Sequence, residues 1–285
     1  GSGVFERSPR NSKRLSDTPR IVRKSGPGPA VTIPGDGFPT TGDGASGRRT
    51  AAARGLRPVS LLVPKRAPSD EILDGEVDPE AAAESLADVE RIHRVLGGRW
   101  ILRRHLVPLL LGIPSPRPVL LDLGAGNGHV GRALAGEMAR RGRGLVTLDL
   151  DRQLLHARLS ARGRSVAADG LRLPLADRSV DVVSSTLFLH HLDAPSVVQL
   201  LRESARVARV AVSALDLTRH RIPLAVNAVL GLLLHRSPIT RLDGSASVYQ
   251  AWTAPELRAI AERALPGARV SRAGPFVQSL LWVRR

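Results

Sequence analysis

Apolar runs and helix-spaced segments alternate along the chain from residue 118 onward. The apolar runs predict strands at 119–123, 145–150, 165–168, 180–186 and 207–215. Between them, apolar residues at helical spacing predict helices at 130–140, 152–161 and 194–206. Strands that alternate with helices indicate a parallel sheet whose two faces are both covered.

The last part of the chain departs from this alternation at 216–244, a long insertion that combines apolar and basic residues. Helical spacing resumes at 253–264, where the start Thr253-Ala-Pro-Glu256 fits a capping box with proline in the first turn. Two further strands, 268–272 and 276–283, are joined by only three residues, which predicts an antiparallel pair. The whole pattern predicts an α/β fold with a doubly wound, mostly parallel, seven-stranded sheet.

Two helices are predicted before the first strand, at 79–96 and at 100–111, and Gly97-Gly98 separates them. We therefore expect an N-terminal helical cap at 67–117 and the core domain at 118–285. Residues 1–66 contain 10 Gly and 8 Pro without a sustained apolar period. Such a segment has little to bury, so we expect a disordered basic extension that the core can do without.

Charge and composition exclude several classes of function. The extension holds 13 Lys and Arg against 4 Asp and Glu, which is over half of the net charge of +16. A basic chain gains non-specific affinity for nucleic acid, but only 3% of the residues are aromatic, too few for stacking on bases. We expect no specific nucleic-acid partner. The absence of cysteine excludes disulfides, thiolate metal sites and cysteine nucleophiles, and no run reaches the roughly 18 apolar residues of a membrane-spanning helix.

A glycine-rich loop, Asp122-Leu-Gly-Ala-Gly-Asn-Gly128, joins the first predicted strand to the helix that follows it. The run from Gly126 to Gly131 satisfies G-x-G-x-x-G, which would indicate a dinucleotide site. In such a site, Asp122 would face a pyrophosphate, and like charges repel. The same carboxylate suits a ligand that carries an ammonium and a sulfonium.

Acidic residues also follow the next two predicted strands. Asp149 is expected to end the second strand, where a carboxylate can accept hydrogen bonds from both hydroxyls of a ribose. Asp169 follows the third strand, where it can accept a hydrogen bond from an adenine amino group. Ligands of open α/β sheets bind outside the carboxyl ends of the strands, so we expect these groups around one crevice.

Residues 118–192 resemble the core of the class I S-adenosylmethionine-dependent methyltransferases, which have a Rossmann-like fold. The runs that carry the resemblance are LLDLGAGNGHVGRAL, LVTLDLDRQLL and AADGLRLPLADRSVDVVSSTLFLHHL, the last similar to members that act in quinone biosynthesis. The resemblance implies S-adenosyl-L-methionine as cofactor, with Asp149 on the ribose, Asp169 on the adenine and Ser185 beside the methionine part. The cofactor-binding residues predicted in this way are Asp122, Gly124, Ala125, Gly126, Gly128, Asp149, Leu150, Asp169, Gly170 and Ser185.

Two histidines, His190 and His191, follow the fourth predicted strand. Either is a candidate general base for an acceptor that holds its proton tightly, and the alternative is that both pack the junction of strand and helix. We expect no metal site, because adjacent histidines point in different directions and only Asp193 stands near them at ligand spacing.

The insertion at 216–244 is expected to lie on the acceptor side of the crevice. Its apolar run, flanked by arginines, suits a lid over a lipophilic acceptor, a buried core helix, or a peripheral contact with a membrane surface. Leu232 within this run, and Tyr249 and Trp252 just after it, are the candidate acceptor-pocket residues.

These features predict a cytoplasmic enzyme that transfers a methyl group to O or C of a small, lipophilic acceptor of aromatic, quinone-like or polyketide type. The fourth strand ends in Ser184-Ser-Thr-Leu187 and lacks the N-P-P-Y or D-P-P-Y motif of amino-methylating DNA enzymes. Two alternatives stay open. One is an RNA methyltransferase guided by the basic extension, and the other is a binding protein that has the fold without turnover.

Overall fold

The computed structural model describes residues 64–159 and 164–285, so the extension expected at 1–66 lies outside the described residues up to residue 63. The described chain forms one sheet of seven strands. These are β1 (Val119–Leu123), β2 (Val146–Asp151), β3 (Ser165–Ala167), β4 (Val180–Thr186), β5 (Ala208–Leu217), β6 (Arg269–Arg272) and β7 (Val277–Val283).

The strand order in the sheet is β3-β2-β1-β4-β5-β7-β6. Strands β1 to β5 are parallel, whereas β7 is antiparallel to both of its neighbours, β5 and β6. The predicted fold class, a doubly wound and mostly parallel sheet of seven strands, is confirmed. The order reverses between β1 and β4, so the carboxyl ends of these two strands form the switch point at which such sheets bind ligands.

Helices cover both faces of the sheet. In the described residues they are α1 (Pro79–Val95), α2 (Gly98–His105), α3 (Val107–Leu111), α4 (His129–Ala139), α5 (Leu154–Leu159), α6 (Ala194–Val207), α7 (Arg221–Leu234), α8 (Pro238–Gln250) and α9 (Ala254–Ala264). None of these helices is both long and apolar enough to span a lipid bilayer.

Local sequence signals explain where several helices begin. The Asp78 carboxylate accepts hydrogen bonds from two backbone N–H groups of the first turn of α1, and Pro79 occupies the first helical position. Asp193 caps α6 in the same way through the N–H of Ser196. The capping box predicted at Thr253 and Glu256 is present at the start of α9. These caps satisfy N–H groups that have no partner inside a helix.

Two aliphatic cores lie on opposite faces of the sheet. Alternate residues of β1 face opposite ways, so Leu120 packs with α2, α3 and α4, whereas Leu121 and Leu123 pack with α6 and α9. Both cores consist mainly of Leu, Val, Ile and Ala, as the low aromatic content requires. Packing on both faces holds the strands in place, and with them the carboxyl edge of the sheet, where the candidate site lies.

The insertion expected at 216–244 begins with the last two residues of β5 and continues as a pair of helices, α7 and α8. Asp243 of α8 turns its carboxylate toward the N-terminal part of the chain, where it accepts hydrogen bonds from Ile72 N at 2.9 Å and Leu73 N at 3.0 Å. The insertion therefore packs on residues that come from the opposite end of the sequence.

Residues 64–75, which we call the strap, cross the carboxyl edge of the sheet. At one end, Pro64 O accepts a hydrogen bond from Arg219 Nε, and Ala67 N donates one to Tyr249 O. At the other end, Leu73 O accepts one from Gln153 Nε2, just before α5. The strap thus links the region beyond β5 with the end of β2.

Arg66 holds the strap near its start. Its guanidinium donates hydrogen bonds to three carbonyl oxygens, those of Gln250 at 2.7 Å, His190 at 3.2 Å and Leu192 at 3.0 Å. It also lies over the ring of Trp252, at 3.8 Å from the centroid. Pro64 and Arg66, which the sequence assigns to the extension, therefore contact the core.

Candidate functional site

The glycine loop between β1 and α4 requires glycine at three positions. Gly124, Gly126 and Gly128 have φ angles of +66°, +54° and +73°, in the left-handed region where a side chain is strained. The N–H groups of Gly124 and Ala125 both donate to Leu150 O of β2, at 2.9 and 3.2 Å. The loop is therefore fixed to the carboxyl end of the sheet.

Side chains lie close to this loop from two directions. A Cβ atom on Gly124 would lie 2.5 Å from the ring of Phe188, which follows β4. A Cβ on Gly126 would lie 3.1 Å from Leu86 of α1. In addition, Glu90 of α1 lies 3.1 Å from Arg132 of α4. The helical cap thus covers the loop, and α1 is one wall of the candidate crevice.

Asp122 is the buried carboxylate beside the loop. Only 1% of its surface is exposed, and its Oδ1 accepts a hydrogen bond from Ser184 Oγ at 2.9 Å. Burial raises the pKa of Asp122 from 3.8 to about 7, the Ser184 bond opposes this rise, and the carboxylates of Asp149 and Asp151 add to it. A cationic ligand in the crevice would relieve the cost of the charged form.

We expect stability to fall with rising pH because of Asp122. Between pH 3.8 and about 7 the folded chain holds a proton that the unfolded chain has released, so unfolding becomes easier as the pH rises through this window. The amide side chain of the Asp122→Asn variant cannot ionise. Between pH 5 and pH 8 this variant should therefore lose less free energy of unfolding than the unaltered chain, by roughly 1–3 kcal/mol. Thermal unfolding at both pH values measures it.

Ser184→Ala is the matched control for that measurement. Removing the hydroxyl takes away a donor that favours ionised Asp122, so the pH-dependent loss of stability should extend to higher pH. Identical pH profiles for the unaltered chain and Asp122→Asn would show that Asp122 does not cause the effect.

Two further carboxylates lie on the same face of β2. Asp149 does not end the strand as expected, because β2 continues to Asp151. Asp149 is opposite Asp122 in the register and is buried, and a Cβ on Gly131 in the first turn of α4 would lie 3.1 Å from its Oδ1. Alternating apolar and acidic residues alone could not show which aspartate is the last in the strand.

Asp151 was not among the predicted site residues. Its Oδ2 accepts a hydrogen bond from Gly126 N at 3.0 Å, and its Oδ1 accepts one from Gln153 N at 2.9 Å. It therefore holds the middle of the glycine loop and the start of α5 together. Its position two residues after Asp149, at the end of an alternating run, was the sequence signal for it.

The other predicted cofactor residues lie at the same edge of the sheet. Asp169 is exposed after β3, and its Oδ1 accepts a hydrogen bond from Leu171 N at 2.9 Å. A Cβ on Gly170 would lie 3.0 Å from Leu200. Ser185 is buried in β4, directly beside Leu123 of β1 in the register.

The two histidines form a cluster with acidic residues that are distant in sequence. His190 Nδ1 lies 2.6 Å from Asp216 Oδ1 at the end of β5, and both residues are 2% exposed. His191 Nδ1 lies 2.7 Å from Asp74 Oδ2 of the strap. Glu71, also in the strap and buried, lies beside the Nε2 edges of both rings, at 3.7 Å from His190 Nε2 and 3.9 Å from His191 Nε2.

Burial and charge act in opposite directions on the acid–base properties of this cluster. Burial raises the pKa of Glu71, and the two histidines oppose that rise. Burial by itself lowers the pKa of His191, but the hydrogen bond to Asp74 and the charges of Glu71 and Asp74 outweigh it and raise this pKa to about 9.

The grounds for expecting no metal site do not hold. The His190 and His191 rings are nearly stacked, with centroids 4.3 Å apart and planes 31° from parallel, and both Nε2 atoms face Glu71. Asp193, the carboxylate considered from the sequence, caps α6. The strap acids lie more than 110 residues away in sequence, so spacing could not reveal them. Asp216 could have been found, because the carboxyl ends of β4 and β5 are adjacent.

Two of the three candidate acceptor residues, Tyr249 and Trp252, have different surroundings. Trp252 is buried and its Nε1 donates to Leu189 O at 3.2 Å, so it packs beneath the strap. Tyr249 is 39% exposed on α8. Leu232 lies in α7, but its side chain is outside the described residues.

A cavity of about 410 Å³ opens at the carboxyl end of β5, next to the first turn of α7. Apolar groups from Ile222, Ala254, Phe276 and Val277 contribute to its wall, together with Thr218 after β5 and the turn between β6 and β7. A volume of this size is within the range of small-molecule sites.

The sheet order, the switch point and the glycine loop define a Rossmann-like fold of the methyltransferase type. Residues 121–211 match the model of a family described as methyltransferase domain. Within residues 121–211 the chain is therefore similar to a methyltransferase domain.

Similar proteins are also described as methyltransferases. An uncharacterized methyltransferase of Mycobacterium sp. (strain JLS) is 40% identical over 98 residues, which are 34% of this chain and 36% of that protein. The chain thus matches only about a third of that relative's length.

Two solved structures share the fold with a TM-score of 0.51 over 73% of this chain. One is human N-acetylserotonin methyltransferase in complex with SAM, at 13% identity and 56% of its length. The other is the plantazolicin methyltransferase BpumL in complex with SAH, at 12% identity and 96% of its length. At these identities the likeness concerns the fold alone.

Proposed function

We propose that this protein binds S-adenosylmethionine at the glycine loop and transfers its methyl group to a small, apolar acceptor. The observation that carries the proposal is the loop itself, with three left-handed glycines beside the buried carboxylates of Asp122 and Asp149. A dinucleotide would bring two phosphates to this acidic surface, whereas an ammonium and a sulfonium complement it. The donor set therefore fits the proposed cofactor.

The cofactor supplies a methyl carbon that a sulfonium has already activated. Acceptor O or C would take up this methyl group and would release its proton to solvent. The chain's part in this reaction is to hold both partners in line and to exclude water. The left-handed glycines allow close backbone approach, and α1 and Phe188 cover the loop.

Within this proposal, Asp149 accepts the ribose hydroxyls, Asp169 the adenine amino group, and Asp151 shapes the loop through Gly126 N. We assign no base role to the histidines. His190 is 2% exposed, its Nδ1 is engaged with Asp216, and its Nε2 faces Glu71. The two ring nitrogens of His191 also face carboxylates, those of Asp74 and Glu71. The cavity beside β5 is the proposed acceptor site, because it is largely apolar and lies at the same sheet edge.

Two measurements test the proposed function. Calorimetry should show one S-adenosylhomocysteine site per chain and no heat from NADH. Mass spectrometry of reactions with a panel of phenols and quinones should then show a product heavier by one methyl group. NADH binding without S-adenosylhomocysteine binding would overturn the cofactor assignment. Cofactor binding without a methylated product from any acceptor would favour the non-catalytic alternative.

We expect Asp149→Ala to weaken S-adenosylhomocysteine binding by about 1.5–3 kcal/mol, the scale of a hydrogen bond to a charged group. The proposed reason is the loss of the acceptor for the ribose hydroxyls. Asp177→Ala is the matched control, because its side chain is 74% exposed and pairs with Arg206 away from the loop. Calorimetry on both variants measures the difference, and an unchanged dissociation constant for Asp149→Ala would exclude the ribose role.

A further inference from the structure

One cluster of the candidate site has no role in the proposed methyl transfer. Glu71, His190 and His191 each offer a ligand atom, and these three atoms all lie within 4.8 Å of one another. Glu71 belongs to the strap, whereas the two histidines form the 3₁₀ turn that follows β4. Two imidazoles and one carboxylate are a common protein ligand set for a divalent transition metal.

We propose that Glu71, His190 and His191 form a binding site for a divalent transition metal of the zinc class. Each histidine has one nitrogen committed to a carboxylate, His190 Nδ1 to Asp216 at 2.6 Å and His191 Nδ1 to Asp74 at 2.7 Å. Such outer carboxylates fix the ring orientation and the tautomer of metal-binding histidines. The remaining nitrogen of each ring, Nε2, is thereby turned toward Glu71.

The distances favour coordination over direct pairing. The Nε2 atoms lie 3.7 and 3.9 Å from the Glu71 oxygens, which is longer than a hydrogen bond. Bonds of about 2.0–2.1 Å from zinc place tetrahedral ligand atoms about 3.4 Å apart. The three ligand atoms, which lie within 4.8 Å of one another, would therefore have to move closer together to surround zinc. Octahedral ligands would lie closer together, at about 3 Å, so the spacing favours the tetrahedral metal.

The surroundings of Glu71 hold it in place for this role. Its Oε1 accepts hydrogen bonds from Ser247 Oγ at 2.7 Å and from Gln250 Nε2 at 3.2 Å, both on α8. Its Oε2 faces His191. A supported carboxylate that is 7% exposed is the kind of positioned ligand that a metal site requires.

Charge also favours a bound cation. Three carboxylates, those of Glu71, Asp74 and Asp216, meet two imidazoles here. Asp216 Oδ2 has no hydrogen-bond partner among the described residues, and buried carboxylates are costly unless they are compensated. A divalent cation between the Nε2 atoms would compensate this negative charge. It would also join the strap to the end of β4, leaving one coordination position for water or another ligand.

Cobalt(II) titration of the untagged full chain, stripped of metal with a chelator, tests the proposal. One equivalent should bind and give the intense visible d–d absorption of tetrahedral cobalt, and one equivalent of zinc should abolish it. Glu71→Gln and His191→Gln should each lose at least about 100-fold in affinity. Asp74→Asn, which keeps all three ligands, should lose about 10–100-fold.

His105→Gln is the matched control, because His105 is a partly buried histidine on α2, outside the cluster. It should bind cobalt like the unaltered chain. His191 is 20% exposed and Asp74 50% exposed, so their replacement should leave the fold intact, and circular dichroism checks this. Unchanged affinity in Glu71→Gln or His191→Gln, weak octahedral cobalt absorption, or stronger binding of manganese than of zinc would overturn the proposal.

These readouts need neither cofactor nor acceptor. Loss of the cobalt spectrum with intact S-adenosylhomocysteine binding would remove the metal site alone. Absence of S-adenosylhomocysteine binding with a tetrahedral cobalt spectrum would remove the proposed function alone.

Discussion

Gly124→Ala should lose at least about 100-fold in affinity for S-adenosylhomocysteine, whereas Gly142→Ala should keep the affinity of the unaltered chain. Both glycines have left-handed backbones, with φ of +66° and +69°, so alanine costs each about 1–2 kcal/mol of strain. At Gly142 the new Cβ meets nothing within 4 Å. At Gly124 the new Cβ would lie 2.5 Å from the ring of Phe188. This distance is too short for two carbon atoms, so the loop and the ring cannot both keep their positions.

The loop at Gly124 would therefore have to move, and with it the surface proposed to hold the cofactor. A displacement of about 1 Å in such a positioned site costs on the order of 10²-fold. Calorimetry gives the affinities, and thermal midpoints separate the shared strain from the effect on the site. The double variant Gly124→Ala with Phe188→Ala removes the clash and should recover part of the binding.

Full affinity in Gly124→Ala would contradict the proposed cofactor position. Equal losses of stability and affinity in Gly124→Ala and Gly142→Ala would show that backbone strain alone accounts for the result.

The sequence predicted the glycine loop because all of its determinants are local. Asp122, the glycines and the following helix lie within a few residues, and their conformation follows from left-handed φ angles and the end of one strand. The mostly parallel sheet also followed from local pattern, because apolar runs that alternate with helices indicate parallel strands covered on both faces. The match of residues 121–211 to the methyltransferase domain family covers this locally determined part of the chain.

The histidine cluster could not be predicted in the same way. Its acids come from the strap and from β5, and no spacing rule connects Glu71 with His190 across 119 residues of sequence. Composition also did not predict that the start of the strap docks on the core. The region before residue 67 is rich in Gly and Pro, which is typical of chains with nothing to bury. Arg66 nevertheless docks, because its side chain finds three carbonyl oxygens that only the folded core brings together.

Because Arg66 docks on the core, we expect truncation beyond it to lower the thermal stability, whereas the composition predicts no effect. A chain beginning at residue 69 should unfold at a lower temperature than one beginning at residue 64, by roughly 4–12 °C. Hydrogen bonds from a charged donor contribute about 1.5–3 kcal/mol each when buried. Arg66 is only partly buried, so we take about 2–3 kcal/mol for its three bonds together, and 1 kcal/mol corresponds to about 2–4 °C in a domain of this size.

Single variants assign this effect to the guanidinium. Arg66→Ala should account for most of the loss, because it removes the three hydrogen bonds and the contact with Trp252. Lys65→Ala removes an adjacent cation that is exposed and should leave the midpoint unchanged. Arg66→Lys should recover little, because an ammonium cannot reach three carbonyls with the geometry of a planar guanidinium.

The same variants connect the strap with the site beneath it. Two of the three carbonyls that Arg66 binds belong to His190 and Leu192, on either side of His191, so its loss should loosen the turn that carries both histidines. Hydrogen exchange should therefore rise at the amides of His191 and Leu192 in Arg66→Ala and stay unchanged in Lys65→Ala. A chain beginning at residue 69 with an unchanged midpoint and unchanged exchange would show that the strap contributes nothing to the stability of the core.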